Sequence, residues 1–159
     1  MLGNEIHHED PVLRIAARRN VTFAVWGGAP NLAQVQAFQR TADVLTKRGG
    51  PDQILVSAIL RGAPNFTEEV RDGFVRIVKN REMYRLGTGH LVLLEGMGGT
   101  AVRAFLSTVK LLSRSPTPMG VFGKTEETLL WALDRLRGSR ERWTYNELHD
   151  ALEQATKDR

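Results

Sequence analysis

The sequence predicts an α/β domain with a mixed, mainly parallel sheet of four to five strands. The sheet begins with an N-terminal β-hairpin and is joined by four helices, and an extra C-terminal helix follows. Apolar residues recur with the two-residue period of strands in some segments and the 3.6-residue period of helices in others. The chain has 159 residues, the size of one domain. Strands separated by helices pair in parallel through right-handed crossovers.

The strands are predicted from short runs rich in β-branched and aromatic residues. Residues 12–18 and 21–26 flank a two-residue turn, so they should pair as an antiparallel hairpin. Residues 54–60 are almost entirely apolar, as expected for a central strand that is covered on both faces. Further strands are predicted at 90–95 and 119–122.

The helices are predicted from their capping residues and apolar faces. Asn31, Thr67 and Thr125 precede amphipathic segments and are good N-caps. Another helix should follow the glycine-rich residues 96–100, which predict a tight turn. Thr144 opens a capping box before the last helix. That helix has few apolar residues, so we expect it at the edge of the domain or against another chain.

Three regions follow from this pattern. Residues 1–10 are polar and are predicted to be a flexible N-terminal tail, and residues 11–137 to be the α/β domain. Residues 138–159 are predicted to be a linker and the C-terminal helix. The N-terminus lacks the basic segment followed by an apolar segment that marks a signal peptide. No apolar stretch approaches the ~20 residues that span a bilayer. We therefore expect a cytoplasmic protein without membrane insertion.

Composition limits the possible chemistry. The chain has no cysteine, which excludes thiol nucleophiles, disulfides and cysteine-ligated metals. The net charge is +4, and the arginines around residues 14–19 and 135–142 predict a solvated positive surface rather than a nucleic-acid interface. Ser57 lies in an apolar strand, where we expect a hydrogen-bonded core hydroxyl. The four histidines do not have ligand spacing, and no catalytic constellation is visible. We therefore predict no metal, no cofactor and no enzymatic activity.

The order of elements resembles the STAS domain, the fold of bacterial anti-sigma-factor antagonists. The resemblance covers about residues 11–137. It is carried by the hairpin ending at 24–28, the strand 54–60 with its proline-containing loop, the segment 93–99 that leads into a helix, and the short strand 121–122. It implies a bacterial regulatory domain in signalling, which binds a protein partner and can form a homodimer.

The resemblance also implies a contact surface at residues 62–70, the loop after the third strand and the start of the next helix. Its candidate partner-binding residues here are Pro64, Asn65, Phe66 and Thr67, with Glu95 nearby. Thr67 is also the candidate phosphorylation site, because it has the only hydroxyl in this loop. The Asp-Ser-Ser or Asp-Ser-Thr run of the phosphorylated STAS proteins is absent, and simple N-capping is the alternative role for Thr67.

A second hypothesis is a carrier of a small ligand, either a lipid or a nucleotide. Its candidate residues are Gly96, Gly98, Gly99 and Thr100, whose backbone N–H groups could face a phosphate at a helix start. A tight turn that only needs glycine is the alternative. An interaction module should show an exposed apolar patch that contains Phe66 and no enclosed cavity. A carrier should show a pocket of several hundred Å³ near Gly98.

Overall fold

The computed structural model describes residues 3–62, 66–80 and 82–159. Its strands are β1 (Glu5–Glu9), β2 (Leu13–Arg18), β3 (Val21–Trp26), β4 (Ile54–Ile59), β5 (Gly87–Val92) and β6 (Met119–Phe122). Its helices are α1 (Leu32–Gly49), α2 (Glu68–Lys79), α3 (Gly96–Ser113), α4 (Thr125–Leu136) and α5 (Tyr145–Thr156).

One mixed sheet contains these strands in their sequence order, β1-β2-β3-β4-β5-β6. The pairs β1–β2 and β2–β3 are antiparallel, and β3 to β6 are parallel. Right-handed crossovers that always step in the same direction leave their helices on one face. Helices α1, α2 and α3 accordingly form one layer, and α4 and α5 cover the opposite face. The predicted α/β class and the β2–β3 hairpin are confirmed.

The sheet has six strands, where four to five were predicted. The additional strand is β1, which lies inside the predicted flexible tail and pairs with β2 through Ile6 and Ala16. Its sequence Glu-Ile-His-His-Glu has little apolar alternation because an edge strand can expose much of its surface. The backbone hydrogen bonds to β2 therefore order a segment that its side chains alone do not mark as a strand.

Strand β5 begins and ends three residues earlier than its prediction at 90–95. Gly87 and Gly89 disfavour a strand by propensity, but they pair with Ile54 and Val56 of β4. A Cβ atom at either glycine would lie 2.9–3.0 Å from the ring of Trp131. The glycines are therefore needed because Trp131 of α4 packs directly on the backbone of β5.

Helix α5 belongs to the core, so the domain has five helices rather than four and an extra one. Leu148, Ala151 and Ala155 are fully buried in the cluster that also contains Phe23 of β3. The small side chains of the two alanines allow the helix to approach the sheet closely. The prediction placed this helix at the domain edge because it has few large apolar residues, but small residues serve the same packing here.

The arginines of the hairpin hold α5 in place instead of forming a solvated surface. Arg18 is 6% exposed and donates to Asp150 Oδ2 at 3.0 Å. Arg14 Nη1 donates to the Ala155 carbonyl at 2.9 Å. This carbonyl is in the last turn of α5, where the C=O groups have no N–H partner within the helix. Arg19 stacks over the Trp143 ring at 3.7 Å from its centroid. These contacts tie β2 and the β2–β3 turn to the C-terminal helix.

Candidate functional site

A hollow lies between the sheet and the layer of helices α1, α2 and α3. Side chains of a strand alternate between the two faces, and Ala24, Ser57 and His90 form one row across β3, β4 and β5 on the face toward these helices. We call this the central row. Its neighbours toward the carboxyl ends of the strands include the larger Trp26 and Ile59. Ala24 and Ser57 are too small to fill the space below the helices.

The hollow has two lobes that meet at the central row. The upper lobe, toward the carboxyl ends of the parallel strands, has a volume of about 80 Å³. The lower lobe, toward their amino ends, has a volume of about 70 Å³. The lobes lie side by side because they share the wall residues Trp26, Ser57, Phe74, Val78, His90 and Met119.

Aromatic rings form much of the wall of the upper lobe. Phe66 stacks on Phe105 with 3.8 Å between ring centroids. Phe105 meets Phe74 edge to face at 5.7 Å, and Phe74 meets Trp26 in the same way at 5.7 Å. Edge-to-face and offset contacts of this kind are favourable beyond simple burial. These contacts join β3, α2 and α3 to Phe66, which lies just before α2.

His90 is the unusual group in this setting. Its side chain lines both lobes and is 8% exposed. Neither Nδ1 nor Nε2 has a hydrogen-bond partner among the described residues. Burial lowers the pKa of His90 to about 4, so the imidazole is neutral at neutral pH. A buried polar group without a partner is rare in folded proteins and costs stability.

The lower lobe contains a second buried polar group. The Tyr84 hydroxyl is also unpartnered among the described residues, although the Thr22 hydroxyl lies close enough to influence it. Burial raises the pKa of Tyr84 to about 12, and the Thr22 hydroxyl acts in the opposite direction. Tyr84 is therefore neutral as well. The buried polar groups His90 and Tyr84 are thus uncharged, and they lie at the central row and below it.

Of the predicted contact surface at residues 62–70, the structure describes Gly62 and residues 66–70. Thr67 caps α2, and its Oγ1 accepts a hydrogen bond from the Val70 N–H at 3.3 Å. Phe66 is half-buried in the wall of the upper lobe. Pro64 and Asn65 lie outside the described residues. Glu95 is exposed just before α3, and its side chain makes no capping hydrogen bond there.

The predicted tight turn at residues 96–100 is the first turn of α3 instead. Gly96 has φ +64°, which favours glycine, and Thr100 Oγ1 donates to the Gly96 carbonyl at 3.1 Å. None of these residues lines the hollow. The hollow lies deeper, where Leu94 and the inner face of α3 meet the sheet, and its lobes of about 80 and 70 Å³ are smaller than the several hundred Å³ expected near Gly98.

Two adjacent glycines of this turn should respond oppositely to alanine. A Cβ at Gly99 would lie 2.2 Å from the Leu94 carbonyl oxygen, whereas a Cβ at Gly98 would have only Leu94 Cδ2 within 4.0 Å. We expect Gly99→Ala to lower the free energy of unfolding by about 1–3 kcal/mol through overpacking. Gly98→Ala should raise it by roughly 0.5–1 kcal/mol, because alanine favours helix. Urea unfolding measures both, and equal effects would contradict the close contact at Gly99.

Comparison with known proteins finds no matching family model, no matching curated protein and no matching solved structure. The resemblance to the STAS domain therefore stays a prediction. Within the described ranges, no three His, Asp or Glu side chains are grouped to hold a metal ion. In the same part of the chain, no helix combines the length and apolar character needed to cross a bilayer.

Of the residues that line the hollow, the sequence singles out Phe66, as a candidate partner contact, but not the two polar residues of the central row. From the sequence, His90 is considered only as a metal ligand, and Ser57 as a candidate nucleophile for which a core hydroxyl is the favoured alternative. Both are polar residues in apolar strands, and in adjacent parallel strands such residues can fall on one face. Their register, Ser57 opposite His90, depends on where β5 begins. The three-residue shift of β5 therefore concealed the pair.

Proposed function

We propose that this protein binds a small, largely apolar ligand in the hollow between the sheet and helices α1, α2 and α3. The observation that supports this is the aromatic-walled hollow itself, in a layer of the fold where side chains are normally close-packed. Binding pockets are mostly apolar and contain a few placed polar groups. Ser57 and His90 are such groups here.

The size of the hollow limits the ligand. A cavity holds one water for each roughly 10–15 Å³ of the volume open to the centre of a water-sized sphere. The upper lobe has about 80 Å³ of this volume, enough for on the order of six water-sized groups. This corresponds to one ring or a short branched chain, and the lower lobe allows some extension. Of the two carrier ligands considered from the sequence, the apolar walls favour the lipid-like one over a nucleotide, because a phosphate would lack a buried cationic partner.

Three expectations from the sequence remain predictions. They are partner binding through residues 62–70, phosphorylation of Thr67 and the relationship to the STAS domain. The half-buried position of Phe66 against Phe105 supports the ligand hypothesis more than a contact patch centred on Phe66. A bound ligand would touch Phe66, which directly precedes the α2 cap. Ligand binding and a partner surface at the start of α2 are therefore compatible.

The test uses toluene as the probe and methyl NMR as the measurement. We expect the Ile59 and Met119 methyl resonances to shift saturably, because both residues line the hollow. Ile6 and Met97 are internal controls, since they are 51% and 91% exposed and do not line it. No saturable shift, or equal shifts at all four residues, would argue against a specific site.

A filling variant tests the location. Ser57→Leu places a larger side chain in the central row and should abolish the toluene-dependent shifts. Ser107→Leu makes the same change at an exposed position on α3 and should leave them intact. Circular dichroism checks that both variants are folded. Unchanged binding in folded Ser57→Leu would place the toluene site elsewhere.

A further inference from the structure

We propose that the ligand has one uncharged hydroxyl group that hydrogen-bonds to His90 at the central row. This inference rests on the proposed function and specifies the chemistry of the bound molecule. It follows from the position of His90, from the polarity of the two lobes, and from the location of the charges around the hollow.

The hydrogen-bonding capacity of His90 is unused within the described part of the chain. Both ring nitrogens are buried without a partner, and the side chain faces both lobes. A neutral imidazole has one N–H donor and one acceptor nitrogen. A hydroxyl both donates and accepts, so it can meet either nitrogen in either tautomer. A ligand hydroxyl at this point would remove the cost of an unpaired buried group.

The polarity of the lobes orients the ligand. The rings of Phe66, Phe74 and Phe105 line the upper lobe, where the apolar part of the ligand fits. Tyr84 and Thr88 line the lower lobe below His90. The hydroxyl would therefore sit at the junction of the lobes, where uncharged polar side chains begin.

The location of charges argues against an anionic ligand. Among the described residues lining the hollow, Arg61 and Lys110 are charged, and both are exposed. A carboxylate beside His90 would lose its hydration without a buried cation in compensation. Burial also keeps His90 itself uncharged at neutral pH by lowering its pKa. The central row thus suits a neutral hydroxyl better than an acid.

Three probes of similar size distinguish these chemistries, namely phenol, toluene and benzoate. The Ile59 methyl reports binding of each at pH 7. In a purely apolar cavity toluene would bind more tightly than phenol, because the phenol hydroxyl loses hydration. We expect the reverse, with phenol about tenfold tighter than toluene, the difference that one satisfied buried hydrogen bond provides. Benzoate should bind most weakly.

Variants at His90 assign the preference to this residue. His90→Leu removes both hydrogen-bonding groups at similar volume and should reverse the order, so that toluene binds more tightly than phenol. His90→Gln keeps a donor and an acceptor and should retain the phenol preference. If His90→Leu does not fold, the imidazole ¹⁵N resonances of the native protein provide the measurement. The resonance lost in His90→Gln should respond to phenol and not to toluene.

Each outcome has a distinct meaning. Equal or tighter binding of toluene to the native protein overturns the hydroxyl inference and leaves the apolar site standing, as expected when a bound water already satisfies His90. Tightest binding of benzoate overturns the requirement for an uncharged ligand. Absence of binding by both phenol and toluene overturns the proposed function itself.

Discussion

Replacing Leu148 by alanine is expected to lower the free energy of unfolding by about 2–5 kcal/mol, the range for a fully buried leucine. Leu148 is 0% exposed and lies in the cluster formed by the sheet, α4 and α5. Alanine would leave a cavity there, because Phe23 of β3 and Leu129 of α4 are themselves fully buried in that cluster. Urea unfolding followed by circular dichroism measures the change.

The matched control is Leu130→Ala on α4. Leu130 is 50% exposed, so the same chemical change should cost well under the core value, about 1 kcal/mol or less. If α5 were an appendage outside the domain, Leu148→Ala would also have a small effect on global unfolding. Similar values for the two variants would therefore contradict the placement of α5 in the core.

Local features of this fold could be predicted from sequence because they depend on neighbouring residues. Asn31 and Thr144 form capping boxes, as their sequences indicate, and the bounds of β3 match the predicted 21–26. The apolar residues on both faces of β3 are a further signal in the sequence, because both faces must then be covered. Val21 and Phe23 point away from α1 to α3 and need a cover, which α5 provides.

Features that depend on distant partners could not be predicted. Strand β1 exists because β2 offers its backbone hydrogen bonds, and its own side chains are largely polar. The start of β5 at Gly87 is set by pairing with β4 and by the ring of Trp131. The hollow depends on residues from still more separate parts of the chain. It requires Ser57 and His90 to share a row while α2 and α3 hold their aromatic side chains above it.

The stability of the native protein should fall by about 2–3 kcal/mol between pH 7 and pH 4.5 on account of His90 alone. The folded-state pKa of His90 is about 4, below its ordinary value of 6.5, because burial disfavours the charged ring. The unfolded chain therefore binds a proton at higher pH than the folded protein does. Stability is full above about pH 6.5 and decreases as the pH falls toward 4, at about 1.4 kcal/mol per unit of pKa difference.

Burial is the cause of the lowered pKa of His90, and the titratable groups that line the hollow with it do not oppose this direction. Arg61 beyond β4 and Lys110 on α3 are cationic, and Tyr84 below the central row is neutral because its pKa is raised to about 12 by burial. None of these three favours a protonated imidazole. Other groups also titrate in acid, among them Glu9, whose pKa is lowered by its hydrogen bond from Arg14. A variant must therefore separate the His90 contribution from theirs.

His90→Leu provides that separation, because it has no titrating group at this position. At pH 7 it should be about 1–3 kcal/mol more stable than the native protein, since the unpaired buried imidazole is removed. Its advantage should grow as the pH falls, by the same 2–3 kcal/mol that the native protein loses through His90. Urea unfolding of both proteins from pH 7 to 4.5 measures this difference. A constant difference across this pH range would mean that the charged imidazole is as well solvated in the folded protein as in the unfolded chain. Water would then reach His90, and phenol would gain little over toluene.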